Sequence, residues 1–491
     1  MALNSPTFLS LFLPVSLVFY VVGGNRYRNF FLLFFSLIFF IWGDPLYFPF
    51  IFGLALVNFL LLRGMQKSLS GSRKRARLLA AGVVINLASL LLFKILAAYG
   101  QSLLDLALQS GLRVPGWAVS NLPRAAHLPL GLSFLTFQAI SMLVDESRQN
   151  PQDQPRFLPV FTYLLMFPKA IAGPIVRFRE TARQIQEQYF SASQAAAGLR
   201  RFMLGFAKKA LIADQLALIT DRGIFNQPPH HIPTGIAWLV ILSYTLQIYF
   251  DFSAYSDMAI GLGQVLGFDF GENFNYPYLS ASISEFWRRW HISLSNWFRD
   301  YVFYPLERKR RSSQWLSQWL SQSLNILIVF LLTGLWHGIT PPFIAWGLLH
   351  GAALALERGR FGSWLRNLWR PLQHCYALGV IMSGWVLFRS PSLPFAWNYL
   401  KTLTGFTKHA AYLPFSVFPP VSPLVWSALT AGVLFSFPIM PSLQKYFTRK
   451  LTPEKTAALA WAQNTLVLAL FVIGIIVQAG TSYQPFLYGG F

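Results

Sequence analysis

The chain has 491 residues, of which 54% are hydrophobic and only 12% charged, against roughly 25% charged in soluble domains. So few charges cannot cover a soluble surface, which excludes soluble multidomain, disordered, collagen-like and coiled-coil chains. What remains is an all-α polytopic membrane protein. Lys and Arg number 40 against 18 Asp and Glu, a net charge of +22. In such a chain this excess belongs to loops held on the cytoplasmic side and to anionic lipid headgroups, rather than to nucleic acid.

From the N-terminus, no Lys or Arg precedes Arg26. A cleaved signal peptide is therefore not expected, and Phe8–Val22 reads as a first span. Further apolar runs follow at Phe30–Ile41, Tyr47–Leu62, Leu78–Ala98, Ile236–Phe250, Leu324–Trp336, Phe343–Leu356, Tyr376–Phe388, Val421–Met440 and Leu466–Val477. A bilayer needs about 20 residues per helix, so several runs must borrow flanking residues. Less uniform runs near 129–143, 157–172 and 197–219 read as spans, tilted helices or re-entrant segments. The expectation is 10 to 13 transmembrane helices in a single integral-membrane domain, with N-terminal helices over 1–125, a catalytic core over 126–360 and C-terminal helices over 361–491.

Loop charges orient these spans. Arg26 and Arg28 follow the first, Gly43-Asp44-Pro45 follows the second without a cation, and Arg63, Lys67, Arg73, Lys74, Arg75 and Arg77 follow the third. The positive-inside rule then puts the N-terminus outside and the Arg63–Arg77 loop inside. Arg308–Arg311, Arg358–Arg370 and Lys445–Lys455 are also inside, leaving the C-terminal tail outside. The stretch from Phe167 to Tyr304 carries more charges and prolines than a simple series of spans tolerates. Irregular backbone at membrane depth must be buried in protein or line a wet cavity, so the functional chamber belongs there.

Candidate chemistry is concentrated in a few segments. Phe167-Pro168-Lys169 and Ala172-Gly173-Pro174-Ile175-Val176-Arg177 resemble a helix break with a cation on each side. Asp251 and Asp257 interrupt an apolar stretch six residues apart, about 120° around a helix. They are not a paired dyad, and a structural role fits them best: anchoring an arginine such as Arg288, or capping a broken helix. In Glu285–Tyr301, read as one helix, Arg288, His291, Ser295 and Arg299 share a polar face opposite Phe286, Trp290, Leu294 and Phe298. That pattern suits an amphipathic helix in the cytoplasmic interface with tryptophans at headgroup level. It equally suits His291 meeting an anionic donor beside Arg288 and Arg289.

Gly334-Leu335-Trp336-His337-Gly338 lies between two apolar runs whose outer flanks are basic, so His337 sits at the turn or inside the membrane. Ionisable groups at that depth are expensive and usually functional, and only histidine exchanges a proton near neutral pH without a large shift. His350 reads as a helix–helix contact. His230-His231 lies in a loop, and no His/Asp/Glu cluster has ligand spacing, so no metal is expected. Cys375 is the only cysteine, which excludes intramolecular disulfides and cysteine-based clusters.

The opening Leu11-Phe12-Leu13-Pro14 with Arg26-Tyr27-Arg28-Asn29, the Pro129–Phe134 and Ala172–Arg177 segments, Phe250–Met258, Glu285–Asp300 and Leu335-Trp336-His337-Gly338 together resemble the membrane-bound O-acyltransferases, in the branch containing alginate O-acetyltransferase. The resemblance implies a ring of helices around a funnel that narrows to a tunnel near His337, which matches the essential intramembrane histidine. His291 matches a second characteristic polar position. Trp336, Ser295, Arg288, Arg289, Asp251 and Asp257 are candidate donor- or substrate-binding residues. The resemblance further implies a bacterial inner-membrane enzyme with no tightly bound cofactor, taking acetyl-CoA or another acyl thioester from the cytoplasm. Its acceptor would be an extracytoplasmic polysaccharide, reached with separate extracytoplasmic acetyltransferase partners. Ile339-Thr340-Pro341-Pro342 and Glu307-Arg308-Lys309-Arg310-Arg311 depart from the family pattern. Rival readings are transfer of D-alanine or another acyl group to a cell-wall polymer, and a lipid or polysaccharide transporter.

Overall fold

The computed structural model describes the chain except residues 1, 113, 117–118, 120–125, 150–154, 188–189, 221–227, 312–317, 407–421, 451, 481–486 and 488–491. Among the described residues every regular element is helical. In chain order these are α1 (Leu13–Val22), α2 (Gly24–Gly43), α3 (Phe48–Gln66), α4 (Arg73–Gln109), α5 (Leu132–Ser147), α6 (Phe157–Leu165), α7 (Phe178–Glu187), α8 (Ala192–Lys208), α9 (Asp214–Ile219) and α10 (Thr234–Val265). They continue with α11 (Ile283–Arg289), α12 (Ile292–Phe298), α13 (Tyr304–Arg311), α14 (Gln318–His337), α15 (Pro341–Glu357), α16 (Arg360–Asn367), α17 (Arg370–Arg389), α18 (Leu393–Thr404), α19 (Pro423–Phe435), α20 (Ile439–Lys450) and α21 (Pro453–Ala479).

The apolar runs of the sequence fall mostly inside helices, but Tyr47 precedes α3, the run ending at Met440 is interrupted over residues 436–438, and Val421, which opens that run, lies outside the described residues. Among the described residues, five helices are each long and apolar enough to cross a membrane: α3, α4, α10, α14 and the Ala457–Ala479 part of α21. The α19–α20 pair, bent by 57°, counts as a sixth if taken as one broken span. Phe8–Val22 and Phe157–Lys169 are shorter apolar helices. Their company of polar, buried and broken segments distinguishes this chain from a plain series of spans.

The chain divides into two compact units. The first comprises Met1–Leu199, Ala259–Gly271 and Pro485–Phe491. Within it, Phe8, Phe12, Phe39 and Phe167 form an aromatic cluster with ring centroids 5.3 to 6.3 Å apart. This cluster seats the break after α6, where Lys169 is fully buried. Its ammonium lies over the Tyr163 ring and donates to Gln138 Oε1 at 2.7 Å, so a cation in the break is held by dipoles and a π-face. Asn58 of α3 and Asn86 of α4 exchange side-chain hydrogen bonds of 3.1 and 2.8 Å, a polar clasp between apolar spans.

The second unit comprises Arg200–Met258 and Glu272–Gln484. Its centre is the α14–α15 hairpin. A Cβ on Gly334 would stand 2.5 Å from the Phe343 carbonyl oxygen, and one on Gly347 2.3 Å from that of Phe330. Only glycine permits this backbone approach, and it locks the helix that ends at His337 against the helix that returns from it. The Glu357 carboxylate at the end of α15 accepts the free N–H groups of Ile283 and Ser284 at 2.6 and 2.8 Å, capping α11. The same helix thus sets both the turn at His337 and the start of the segment carrying His291.

The structure corrects one expectation here. Residues 285–301 do not form a single interfacial helix. The helix stops at Trp290, His291 takes a left-handed conformation (φ 42°, ψ 55°), and α12 starts anew at Ile292. Arg288, His291, Ser295 and Arg299 therefore share no face. Trp287, Trp290 and Trp297 are buried rather than at headgroup level, because they pack into the aromatic core of this unit.

Candidate active site

His337 is the last residue of α14 and is 3% exposed. Its ring centroid is 4.6 Å from Trp336, 4.9 Å from Trp346 and 5.1 Å from Phe388. The imidazole thus sits in a box of rings supplied by α14, α15 and α17. Trp336 forms one wall, and its ring is 6.3 Å from that of His291. The two histidines singled out in the sequence therefore flank one tryptophan.

His291 is 1% exposed. Its backbone strain is held by flanking main-chain bonds: Asn275 N–H donates to the Arg289 carbonyl at 2.9 Å, and Ile292 N–H to that of Asn273 at 3.0 Å. A non-glycine residue at positive φ persists only where the surroundings over-determine it, and such residues cluster at functional sites. Nδ1 lies 3.1 Å from Asn273 Oδ1, while Nε2 is buried without a hydrogen-bond partner. The Ser295 hydroxyl, one turn into α12, is likewise buried and unpartnered. Phe252 covers the ring edge-on at 4.7 Å.

Arg288 and Arg289 separate in the structure. Arg289 is tied to Glu285 at 2.8 Å and to the Asn275 carbonyl at 3.1 Å. Arg288 is exposed and lines a cavity of about 620 Å³ with Ser282, Ser284, Arg366, Arg370 and Gln373. The two carboxylates in the cavity wall are already engaged, Glu357 by α11 and Glu285 by Arg289. Burial works to raise the Glu285 carboxyl, but the Ala281 N–H and the Arg289 and Arg288 guanidinium groups outweigh it and hold it below its ordinary value. Arg288, Arg366 and Arg370 line the cavity without a matching free carboxylate, a lining whose charge suits an anion.

Asp251 and Asp257 are anchored structurally, though not by Arg288. The Lys209 ammonium, in a π-helical turn after α8, reaches Asp251 at 2.8 Å and also Asp214. Asp257 accepts from Arg201 at 2.9 Å and Lys208 at 2.5 Å. Both carboxylates hold α10 to the segment following Leu199. Asn273, Trp346, Phe388 and Glu357 escape a reading of the sequence. They are ordinary residues 9 to 74 positions from those they serve, and only Glu357, an acid closing an apolar run, carries any local signal.

The model of the membrane-bound O-acyltransferase family matches residues 28–388, which include every residue of this site. The chain belongs to the membrane-bound O-acyltransferase family. It is a multi-pass membrane O-acyltransferase. A probable alginate O-acetylase of Pseudomonas aeruginosa is 39% identical over 83% of this chain and 75% of its own length. One of Azotobacter vinelandii is 35% identical over 99% of both chains. A peptidoglycan O-acetyltransferase of Helicobacter pylori is 31% identical over 82% of this chain and 79% of its own.

Proposed function

We propose that this O-acyltransferase moves an acetyl group from a cytoplasmic thioester to an extracytoplasmic polysaccharide, in a bacterial inner membrane, with both termini outside. The observation that carries the reading is the pair of buried imidazoles, His337 and His291, flanking Trp336 in a chain whose relatives are named for O-acetylation of polysaccharides. Acetyl-CoA or a carrier-bound thioester would place its phosphates in the cavity of Arg288, Arg366 and Arg370. Arg289, spent on Glu285, shapes the loop instead. Arg288 in the cavity wall is three residues before His291, so a thioester held there approaches that histidine.

The chemistry is an acyl exchange. The acceptor hydroxyl oxygen bonds to the thioester carbonyl carbon, the C–S bond breaks, and the hydroxyl proton passes through the His337 imidazole to the departing thiolate. An ester and a free thiol result. A transient acyl-enzyme that hands the group to an extracytoplasmic partner protein obeys the same balance. The surrounding rings of Trp336, Trp346 and Phe388 exclude water, which would otherwise hydrolyse the thioester.

The test is transfer of labelled acetyl in proteoliposomes supplied with a thioester on one side and the acceptor on the other. His337→Ala and His337→Gln should lower turnover at least 100-fold at unchanged membrane abundance. Near-native turnover by either variant refutes the role of His337. Polysaccharide movement without covalent transfer would mark a transporter, and incorporation of D-alanine in place of acetyl a different donor.

A further inference from the structure

We infer that Asn273 is a positioning residue that fixes the tautomer of His291, so that its buried Nε2 presents a lone pair to the acceptor sugar. This rests on the proposed reading that His291 belongs to the acyl-transfer site.

The inference follows from which atoms are able to donate. Asn273 Oδ1 lies 3.2 Å from the Ser293 backbone N–H and 2.9 Å from the Ser293 hydroxyl. A backbone N–H only donates, so the atom facing it is the amide oxygen and not the amide nitrogen. That same oxygen stands 3.1 Å from His291 Nδ1. An amide oxygen has no proton to give, so Nδ1 must carry one. In the neutral ring the lone pair then resides on Nε2, the atom that is buried and without a partner.

His350 shows the opposite arrangement in the same aromatic core. Its Nδ1 faces Trp287 Nε1 at 3.4 Å, and an indole N–H only donates, so the His350 proton resides on Nε2. Two histidines within one core are thus set in opposite tautomers by their neighbours. The one beside Trp336 is set as an acceptor. A left-handed backbone at His291, clamped by the 273–275 strand of loop through two main-chain bonds, keeps the ring over that amide oxygen. During transfer, Nε2 accepts a hydrogen bond from a second hydroxyl of the acceptor sugar, which seats the attacking hydroxyl and leaves its own proton for His337. Asn273 acts only through this ring.

The experiment compares Asn273→Ala and Asn273→Asp by kcat, KM for the thioester, and pH–rate profile in proteoliposomes. Asn273→Ala should reduce kcat about 10-fold or more with KM for the donor within about twofold. Asn273→Asp keeps an acceptor for Nδ1–H and adds a charge that favours the imidazolium. It should recover part of kcat and move the acid limb of the profile to higher pH. Wild-type kcat in Asn273→Ala, or the same pH–rate profile in both variants, overturns the inference. A measurement independent of folding in the variants is the side-chain ¹⁵N spectrum of histidine-labelled wild-type protein at neutral pH, with the His291 signals assigned by their loss in His291→Ala. Protonated Nδ1 with unprotonated Nε2 is expected, and the reverse overturns the inference. If His291→Ala itself turns over at the wild-type rate, the placing of His291 in the reaction fails, while the tautomer spectrum still judges Asn273.

Discussion

Lys209 is 2% exposed and serves two carboxylates, Asp251 and Asp214. Removing the cation leaves two buried anions facing each other, so Lys209→Met should cost about 3–5 kcal/mol. Loss of the folded fraction on heating in detergent measures it, and an unchanged melting midpoint would show that the triad bears no load. Glu285 gives a pH-dependent case. Its folded-state pKa lies below the unfolded value. Its contribution is therefore complete above the unfolded carboxylate pKa and disappears as pH falls through the depressed folded value. Wild-type protein should lose more melting temperature between pH 7 and pH 4 than Glu285→Gln does, and equal losses would contradict the assignment.

At the scale of elements, two helix relations carry the site. The α14–α15 hairpin depends on glycine at its crossing, so Gly347→Ala must push the Phe330 carbonyl away and with it the helix that ends at His337. Lower membrane abundance and at least a tenfold loss of turnover are expected, since reacting groups tolerate little displacement. The cap on α11 is separable from chemistry. Glu357→Ala frees two N–H groups and should destabilise by about 1–2 kcal/mol, read as a lowered melting midpoint, and should raise KM for the thioester by loosening the cavity wall. Glu357→Gln, which keeps one acceptor oxygen, should fall between. The helix expected over 285–301 illustrates why elements are harder to read than classes. Its apolar stripe is real, since Phe286, Trp290, Leu294 and Phe298 are all buried, yet a 3.6-residue period says nothing about a single residue turned left-handed. His291 is that residue, and its turn separates Arg288 from Ser295.

For the whole molecule, membrane class and orientation depend on quantities summed along the chain. The orientation proposed from loop charges has a direct test, because the sole cysteine, Cys375, is exposed near the start of α17, beside the basic Arg358–Arg370 stretch. A membrane-impermeant thiol reagent should label it in inverted vesicles and not in intact spheroplasts, and labelling from outside would reverse the proposed topology.

Composition and the lengths of apolar runs decided by themselves that this chain enters a bilayer as helices, because the cost of burying charges and backbone in lipid depends on residue type and run length, not on partners. The Gly-Leu-Trp-His-Gly interruption likewise marked His337, since an ionisable group flanked by spans is unusual wherever the chain goes next. The choice of counter-ions for Asp251 and Asp257, the separation of Arg288 from Arg289, and the seating of His291 on Asn273 belong to the tertiary structure alone. Each is a contact between residues distant in sequence or a break in local periodicity, and its energy exists only once the helices have packed.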